Sequence, residues 1–479
     1  MHMAELLPEL STYADVSIEG LTDDSREVGP GDLFLAVAGH ETDGRNFIGA
    51  AIERGARFVV AQSPFDAAGY DNVVVLPDLD RRRGEIAAKY HGHPSREMLV
   101  CAVTGTNGKS SVTHYVAQLL NALSCRCGVI GTLGAGVTDA LVDLGATTPG
   151  ALVLQKVLGE LKGKEFEAVC IEASSHGLDQ GRLAGCEVDV AVLTNISQDH
   201  LDYHGSFDAY RRAKFSLFEM PSVNHWVVNV DDPSGRELAK MASHPVNIVS
   251  YSLGEHADAD VVVERSVFHK GGIEAEIRSP WGRVSLALGL LGRFNLSNVL
   301  ASVGVLGSLG HPMADIQEAS RQLMSVTGRM QLFRFGNGLT VVVDYAHTPD
   351  ALDQALEAVK QHIPGRVVCV FDYNGDHDVD KRPMMGRVAS RYAEHIVLTD
   401  DNPRTESSDQ IIAAIRQGIP AGQSVDVIPD RKMAIAHAIG SASDGDVVLI
   451  AGKGHEEYQV VDGRKHHHSD ITSVQAMMG

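Results

Sequence analysis

The chain has 479 residues, which at about 150 residues per domain suggests three domains. Its 62 acidic residues outnumber 41 basic ones for a formal charge of −21, against the cation clusters of a nucleic-acid binder and against docking on anionic membranes. A 44% hydrophobic and 22% charged composition excludes disorder, and no apolar run approaches the roughly 20 residues that span a bilayer.

Residues 1–92 read as a small α/β unit. VVAQ and VVVLP form short strands, and DGRNFIGAAIERGA at 43–56 carries apolar residues at helical spacing with a glycine stop. HGHPS at 91–95 reads as a linker. From 93 to 327 the strands LVCAVT, AVCIEAS, VAVLTNI and HWVVNV alternate with helices, the pattern of a mostly parallel sheet. EAEI and VSLAL, inside 260–290, alternate at period two and predict an antiparallel excursion. After GRM at 328–330 a third region, 328–479, repeats strand and helix through TVVVDYA, RVVCVF, HIVLTD and DVVLIAG. The six cysteines sit mostly in apolar runs, without a CxxC pair, and are expected as reduced thiols of a cytoplasmic protein. His466–His468 reads as a solvated loop.

The first chemical signal follows LVCAVT. Gly105, Thr106, Asn107, Gly108, Lys109, Ser110 and Ser111 lead into the amphipathic VTHYVAQLLNAL. Glycines let consecutive N–H groups turn toward one anion at a helix N-terminus. Lys109 would then reach terminal phosphate oxygens and Ser110 would hold Mg²⁺. Val103 stands where the longer P-loop pattern has its first glycine, so this is a shortened GxxGK[ST] loop. Glu172 and His200 follow strands in the same region, where ligands of open α/β sheets collect; either is also at home as a solvated strand end. In SFDAYRRAKFSLF, Ser206 reads as an N-cap, and Phe207, Tyr210, Lys214 and Leu217 share one helical face. Lys214 either snorkels from that apolar side or is buried with a lowered pKa.

The segments TGTNGKSS, EASSHGLDQGR, TNISQDHLDYHG and LLGRFNLSN, in that order, resemble the Mur ligases, ATP-dependent amide-forming enzymes of peptidoglycan assembly. DSREVGPGDLFLAVAGHETDGRNF, VVVDYAHTPDAL, DNPRTE and IAGKGHEEYQ extend the resemblance over nearly the whole chain, toward the member that adds meso-diaminopimelate to a UDP-N-acetylmuramoyl-dipeptide. The resemblance implies an α/β, three-domain architecture: a UDP-sugar domain, a central P-loop ATPase domain and a Rossmann-like C-terminal domain. It implies Mg²⁺ and ATP, with Ser110, Glu172, His200 and a carbamylated Lys214 around the metal. Asn295, Arg329 and Asp344 match positions near adenine, phosphate and ribose. Ser25, His40, Glu41, Thr42, Thr147, Thr148, Ser174, Gln180 and Arg182 match contacts to the UDP substrate.

For diaminopimelate the resemblance implies His377, Asp401, Asn402, Pro403, Arg404, Gly452 and Glu456. Arg404 suits a carboxylate, while Asp401, Asn402 and Glu456 suit an ammonium. His377 departs from the arginine usual at its position, a role that Arg382 is a candidate to take over. A lysine-adding ligase and a catalytically inactive nucleotide-binding regulator remain open. The protein is expected as a monomer without membrane insertion.

Overall fold

The computed structural model describes residues 1–479 except 40, 41, 139, 243, 244, 337, 377 and 479. It forms two compact units, 1–249 and 250–479.

The first unit opens with a four-stranded parallel sheet: β1 (Leu21–Thr22), β2 (Leu33–Ala36), β3 (Phe58–Gln62) and β4 (Val73–Leu76), in that order. Leu33, Leu35, Phe58 and Val60 pack into one apolar cluster and Phe34, Ala36, Val59 and Ala61 into another, so the sheet is buried on both faces. The DGRNF segment is a single 3₁₀ turn, Gly44–Phe47, that runs into the helix Ile48–Glu53.

The second sheet of this unit carries β5 (Leu99–Thr104), β6 (Cys127–Gly131), β7 (Gly134–Val137), β8 (Ala140–Val142), β9 (Ala168–Glu172), β10 (Val190–Leu193) and β11 (His225–Asn229). Its order is β11-β10-β5-β9-β6-β7-β8. β11 through β6 run parallel, and β7 and β8 add an antiparallel edge. β5 therefore lies between β10 and β9, and the loops leaving the carboxyl ends of all three strands are neighbours. That edge is the topological switch point where open α/β sheets bind ligands.

In the second unit Tyr251 and Ser252, the end of β12 (Asn247–Ser252), pair with β13 (Val261–His269), which continues antiparallel into β14 (Gly272–Ser279) and β15 (Gly282–Leu288). From Arg283 onward burial alternates residue by residue along β15, as expected of a sheet with one solvated face. The last sheet has β16 (Gln331–Arg334), β17 (Thr340–Asp344), β18 (Val367–Phe371), β19 (His395–Leu398), β20 (Ser424–Val427) and β21 (Val447–Ala451), ordered β16-β17-β21-β18-β19-β20. Apart from β16 it is parallel. Its two faces feed separate apolar clusters, one around Val342, Cys369 and Leu449 and the other around Val341, Val370 and Ile450. A hairpin of β22 (Tyr458–Val461) and β23 (Arg464–His467) follows. His466 and His467 thus lie on an exposed strand rather than in a loop. The six cysteines are free, and all but Cys125 are buried.

Arg431 and Asp470 are both fully buried and joined by two hydrogen bonds, Nε to Oδ1 at 2.8 Å and Nη2 to Oδ2 at 2.7 Å. Burial alone would raise the Asp470 carboxyl; the Arg431 guanidinium and His468 outweigh it and hold it below the usual carboxylate range. A depressed carboxylate stabilises the fold above its unfolded pKa, and that contribution is lost as pH falls through the folded value. Asp470→Asn leaves a buried guanidinium without its counter-charge. It should destabilise this unit by about 3–5 kcal/mol, read as an earlier urea transition at pH 7. The gap from the parent should narrow in strong acid; an unchanged transition at pH 7 refutes the role.

Candidate functional site

The loop after β5 is held by the loop after β10. Thr106 N–H donates to the Asn195 carbonyl at 2.8 Å and Asn107 N–H to Asn195 Oδ1 at 3.0 Å, while Thr194 Oγ1 donates to the Asn107 carbonyl at 2.6 Å. Gly105 has φ +149°, and a Cβ there would lie 1.9 Å from Thr194 Oγ1, so only glycine fits. Gly108, at φ +88°, turns the chain into the helix Lys109–Ala122 without a side-chain cap. The first-turn N–H groups have no intrahelical acceptors, which makes this end an anion site in waiting. Lys109 Nζ curls back on the Gly105 and Thr106 carbonyls, each at 3.0 Å.

Lys214 approaches the same loop from the Phe207–Phe215 helix, which Ser206 caps by accepting from Ala209 N–H. It is 1% exposed, donates to the Gly105 carbonyl at 2.7 Å and lies 4.5 Å from the Tyr210 ring centroid. Burial, then the Lys109 charge, pull its amine well below the ordinary lysine range, with Asp199 opposing. Of the face drawn from sequence, Tyr210 and Lys214 are buried on the helix and Leu217 is buried in the 3₁₀ turn Ser216–Glu219 that follows, whereas Phe207, in the first turn, is exposed.

Glu172 closes β9 at 1% exposure. Its Oε1 accepts the Thr132 N–H at 2.9 Å and its Oε2 the Thr132 hydroxyl at 3.2 Å. Gly131, at the end of β6, makes room for it: a Cβ there would sit 2.2 Å from Glu172 Oε1. The Thr132 hydroxyl is 3.0 Å from that of Thr147. Thr148 Oγ1 donates to the Glu172 carbonyl at 2.6 Å and accepts Ser174 N–H at 2.9 Å. Ser174 in turn caps the helix Ser175–Asp179. Arg182 donates to Gln180 Oε1 at 2.6 and 3.0 Å and to the Thr148 carbonyl at 2.5 Å.

A cavity of about 590 Å³ brings these groups together; Lys109, Thr147, Thr148, Ser174, Gln180, Arg182 and His200 line it, joined by His176 and Tyr203. The last two were missed in sequence, although both lie in motifs already singled out, because nothing about an isolated His or Tyr marks its side chain as cavity-facing. Tyr203 accepts from Gln180 Nε2 at 3.0 Å and donates to Asp179 at 2.9 Å. Burial, then His200 and His204, push the His176 imidazole below its ordinary value. His200 has φ +51°, a left-handed backbone that non-glycine residues hold mostly where the surroundings impose it. Ser25 and Thr42 lie outside the cavity lining, in loops of the first sheet; Thr42 is exposed and Ser25 half-buried, beside a turn that Asp24 closes by accepting Arg26 N–H at 2.9 Å. His40 and Glu41 are outside the described residues.

In the second unit Asn295 is 1% exposed and donates to the Leu291 carbonyl at 2.8 Å. Asp344 accepts Met330 N–H at 2.7 Å and Ala346 N–H at 2.8 Å; burial raises its carboxyl against the Arg329 charge. The Arg329 guanidinium lies 4.3 Å from the Tyr345 ring centroid. A Cβ on Gly328 would strike the Gly454–His455 backbone within 2.3 Å, so the segment before β16 packs closely on the loop after β21.

That loop meets the loops after β18 and β19. Lys453, fully buried, donates to Asp401 Oδ1 at 3.0 Å, Asn402 Oδ1 at 3.2 Å and Glu456 Oε2 at 2.9 Å. The three acceptors assigned from sequence to a ligand's ammonium thus already surround an internal one. Gly452 has φ +117°, and Pro403 is buried. Arg404 is exposed at φ +56°; its backbone bonds to Val460 and Asp462, and its guanidinium has no ion-pair partner among the described residues. Arg382, the candidate to take over the role of an arginine at 377, is 2% exposed and grips Glu406 with two hydrogen bonds, at 2.7 and 2.9 Å. His377 itself is outside the described residues.

Three segments match Mur ligase domains: 17–91 the Mur ligase family catalytic domain, 103–306 the Mur ligase middle domain, and 328–454 the Mur ligase glutamate ligase domain. The UDP-N-acetylmuramoyl-L-alanyl-D-glutamate–2,6-diaminopimelate ligase of Pseudomonas aeruginosa is 46% identical over 99% of this chain and 97% of its own length. The protein of that name from Coxiella burnetii is 41% identical over 94% and 93%. A solved structure of a ligase with the same name superposes at TM-score 0.76, with 35% identity, over 100% of this chain and 98% of that one. MurF from Acinetobacter baumannii, 20% identical over 96% of this chain and 93% of its own, shares the fold at TM-score 0.67.

The Gly131 cradle gives a direct test. Gly131→Ala forces the Glu172 carboxylate to move. Calorimetry in the presence of Mg²⁺ should show ATP affinity reduced about tenfold, the scale of one lost charge-assisted interaction, with thermal stability changed far less. Unchanged affinity would dissociate Glu172 from the nucleotide site.

Proposed function

The chain belongs to the Mur ligase family, and on that premise we propose that it joins meso-2,6-diaminopimelate to UDP-N-acetylmuramoyl-L-alanyl-D-glutamate at the expense of ATP. The observation that carries this reading is the cavity that sets Lys109 of the phosphate loop across from Thr147, Thr148, Ser174, Gln180 and Arg182. An anion-binding loop and a carboxylate-binding guanidinium on one cavity suit a reaction between a nucleotide's terminal phosphate and an acyl group.

In the first stage the D-glutamyl side-chain carboxylate attacks the γ-phosphorus and ADP leaves. Lys109 and the N–H groups of the Lys109–Ala122 helix hold the phosphates in line, and positioning with charge neutralisation supplies most of the acceleration. Arg182, prealigned by Gln180 and the Thr148 carbonyl, orients the acyl part. In the second stage an amine of diaminopimelate adds to the acyl carbon, and phosphate departs as the amide forms.

A Ser110 hydroxyl and the Glu172 carboxylate, with His200 as a further candidate, fit Mg²⁺, a hard cation that prefers oxygen; Gly131 leaves room for that carboxylate and Thr132 holds it by two hydrogen bonds. Bound there, Mg²⁺ would offset phosphate charge. Lys214 would supply a further ligand. Burial and the neighbouring Lys109 favour the neutral form of its amine, and that form attacks CO₂, gains a C–N bond and releases a proton, leaving a carbamate anion.

The reading assigns 1–92 to the UDP-sugar end, with Ser25, His40, Glu41 and Thr42; 93–327 to the ATP and acyl chemistry; and 328–479 to the incoming amino acid. Asn295, Arg329 and Asp344 serve the nucleoside and phosphates. His377, Asp401, Asn402, Pro403, Arg404, Gly452 and Glu456 serve diaminopimelate. The enzyme works as a cytoplasmic monomer; among the described residues no helix is long and apolar enough to cross a membrane.

Phosphate release measured against an amino-acid panel tests the reaction. Release should require both the UDP-dipeptide and meso-diaminopimelate. Turnover with L-lysine instead would move the chain to the lysine-adding branch, and no turnover with any amino acid would make it an inactive nucleotide binder. Arg404 should decide the choice, because its unpaired guanidinium can grip the distal carboxylate that lysine lacks. Arg404→Ala forfeits a charge-assisted contact of about 1.5–3 kcal/mol, so kcat/KM for meso-diaminopimelate should fall roughly tenfold to hundredfold while ATP affinity holds. An unaltered preference overturns the assignment.

Lys214→Ala should lose most activity without rescue by high bicarbonate, while a short-chain carboxylic acid restores part of it. In the parent protein, ¹³C-bicarbonate should give a carbamate resonance that the variant lacks. Near-normal turnover of the variant excludes the carbamate.

A further inference from the structure

We propose that His395, Asp426 and His437 form a binding site for a divalent ion of the zinc class, on the edge of the last sheet and apart from the ligase chemistry. The ligand atoms of the three side chains lie within 4.8 Å of one another. Asp426 Oδ2 is the meeting point, 3.1 Å from His395 Nε2 and 2.7 Å from His437 Nε2. Ligands about 2.0–2.1 Å from a tetrahedral zinc ion lie roughly 3.3 Å apart, so small outward movements admit the ion.

Local structure sets this convergence. His395 is the first residue of β19, and its register partner on β20 is Ser424. Residues opposite each other in a ladder share a face, as do residues two apart along a strand, so His395, Ser424 and Asp426 project from the same side. The helix Arg431–Ser441 follows β20 directly, and Asp430 fixes its start by accepting Met433 N–H at 2.9 Å. It carries His437 onto that side. Three elements thus each supply one ligand. β20 is the outermost strand, with a single neighbour, so an ion here would clip the sheet edge to the helix that covers it.

The donor chemistry selects the ion. Two imidazoles and one carboxylate suit a borderline cation and not Mg²⁺, which prefers oxygen. His395 Nδ1 lies 2.7 Å from Ser424 Oγ, the outer-sphere contact that orients a ligating imidazole. Both Nε2 atoms face the Asp426 carboxylate, so each ring would bind the ion through Nε2, and His395 Nδ1 would then face the Ser424 hydroxyl. Side-chain exposures of 15% for His395, 43% for Asp426 and 44% for His437 leave a fourth position open to water and give the ion access. The site lies toward the amino end of β19, whereas Asp401 and Arg404 follow its carboxyl end, so diaminopimelate binding and zinc binding are separable.

The test is calorimetric titration of zinc sulfate into tag-free, chelator-treated full-length protein. The parent should take up one equivalent more than His437→Ala or His395→Gln, with that equivalent tighter than millimolar and raising the thermal midpoint. Ser424→Ala should keep the stoichiometry but bind roughly ten- to hundredfold more weakly. A His466→Ala/His467→Ala double variant, which removes the exposed histidine pair of β23, should behave as the parent. Cobalt(II) in place of zinc should give tetrahedral d–d absorption in the parent alone. The variants' circular dichroism without metal establishes that they fold. Equal zinc uptake by parent and His437→Ala overturns the site, as does uptake that disappears only in the β23 double variant.

Discussion

The carbonyl of Gly105 accepts two ammonium groups, Lys109 at 3.0 Å from within its own loop and Lys214 at 2.7 Å from a helix a hundred residues further on. That convergence ties the loop after β5 to the helix that follows it and to the Phe207–Phe215 helix. A glycine-rich loop has little stiffness of its own, because glycine has the widest conformational freedom in the unfolded chain. Here the stiffness is imported. Thr194 and Asn195 brace one side of the loop, Tyr210 contacts the Thr106 hydroxyl at 2.9 Å, and Lys214 closes the inner face. The same geometry puts two like charges near one another in a poorly hydrated place. The more buried of the two yields, and Lys214 becomes the group whose neutral form is favoured. The bracing of the loop and the lowered pKa of Lys214 are therefore two consequences of one packing arrangement.

The second unit uses an internal ammonium differently. Lys453 is as buried as Lys214 but has two carboxylates within 3.0 Å. Partnered in this way, it organises the Asp401–Arg404 turn and the loop after β21 into one piece. Asp372 extends the network by accepting Asp401 N–H at 3.0 Å; burial drives its carboxyl well above the usual range, and Asp401 and Asp400 add to that. The effect is to leave Arg404 outside the internal pairing. Arg382 is buried and paired with Glu406. Arg404, by contrast, has no ion-pair partner among the described residues, which is what the proposed grip on a second carboxylate requires.

Much of this was legible in the residues. The parallel strands stand out because strands buried on both faces must be nearly continuously apolar, as the runs LVCAV, AVCI and VVLIA are. Lys214 was legible as well, since helical spacing alone puts it with Tyr210. The strands β6, β7 and β8 were not. GVIGTLGAGV contains four glycines in ten residues, and glycine lowers strand propensity wherever backbone pairing rather than side-chain packing stabilises the strand. The need for Gly131 appears only once Glu172 is placed beside it. Nor was the pairing of Lys453 legible: a GKGHE segment looks like an exposed polar loop until three strand ends are brought to one edge.

The same limit explains why His395, Asp426 and His437 left no mark in the sequence. Their separations of 31 and 11 residues match no metal motif, because one ligand lies across a strand ladder and another on the following helix. A ladder register converts sequence distance into adjacency without leaving a periodic trace. The catalytic loops differ in that each strand end is also a loop beginning, so their polar residues stand out against an apolar run. Sites built at carboxyl ends of parallel strands advertise themselves in sequence for that reason, whereas a site built on the flank of the sheet becomes visible only when register is known.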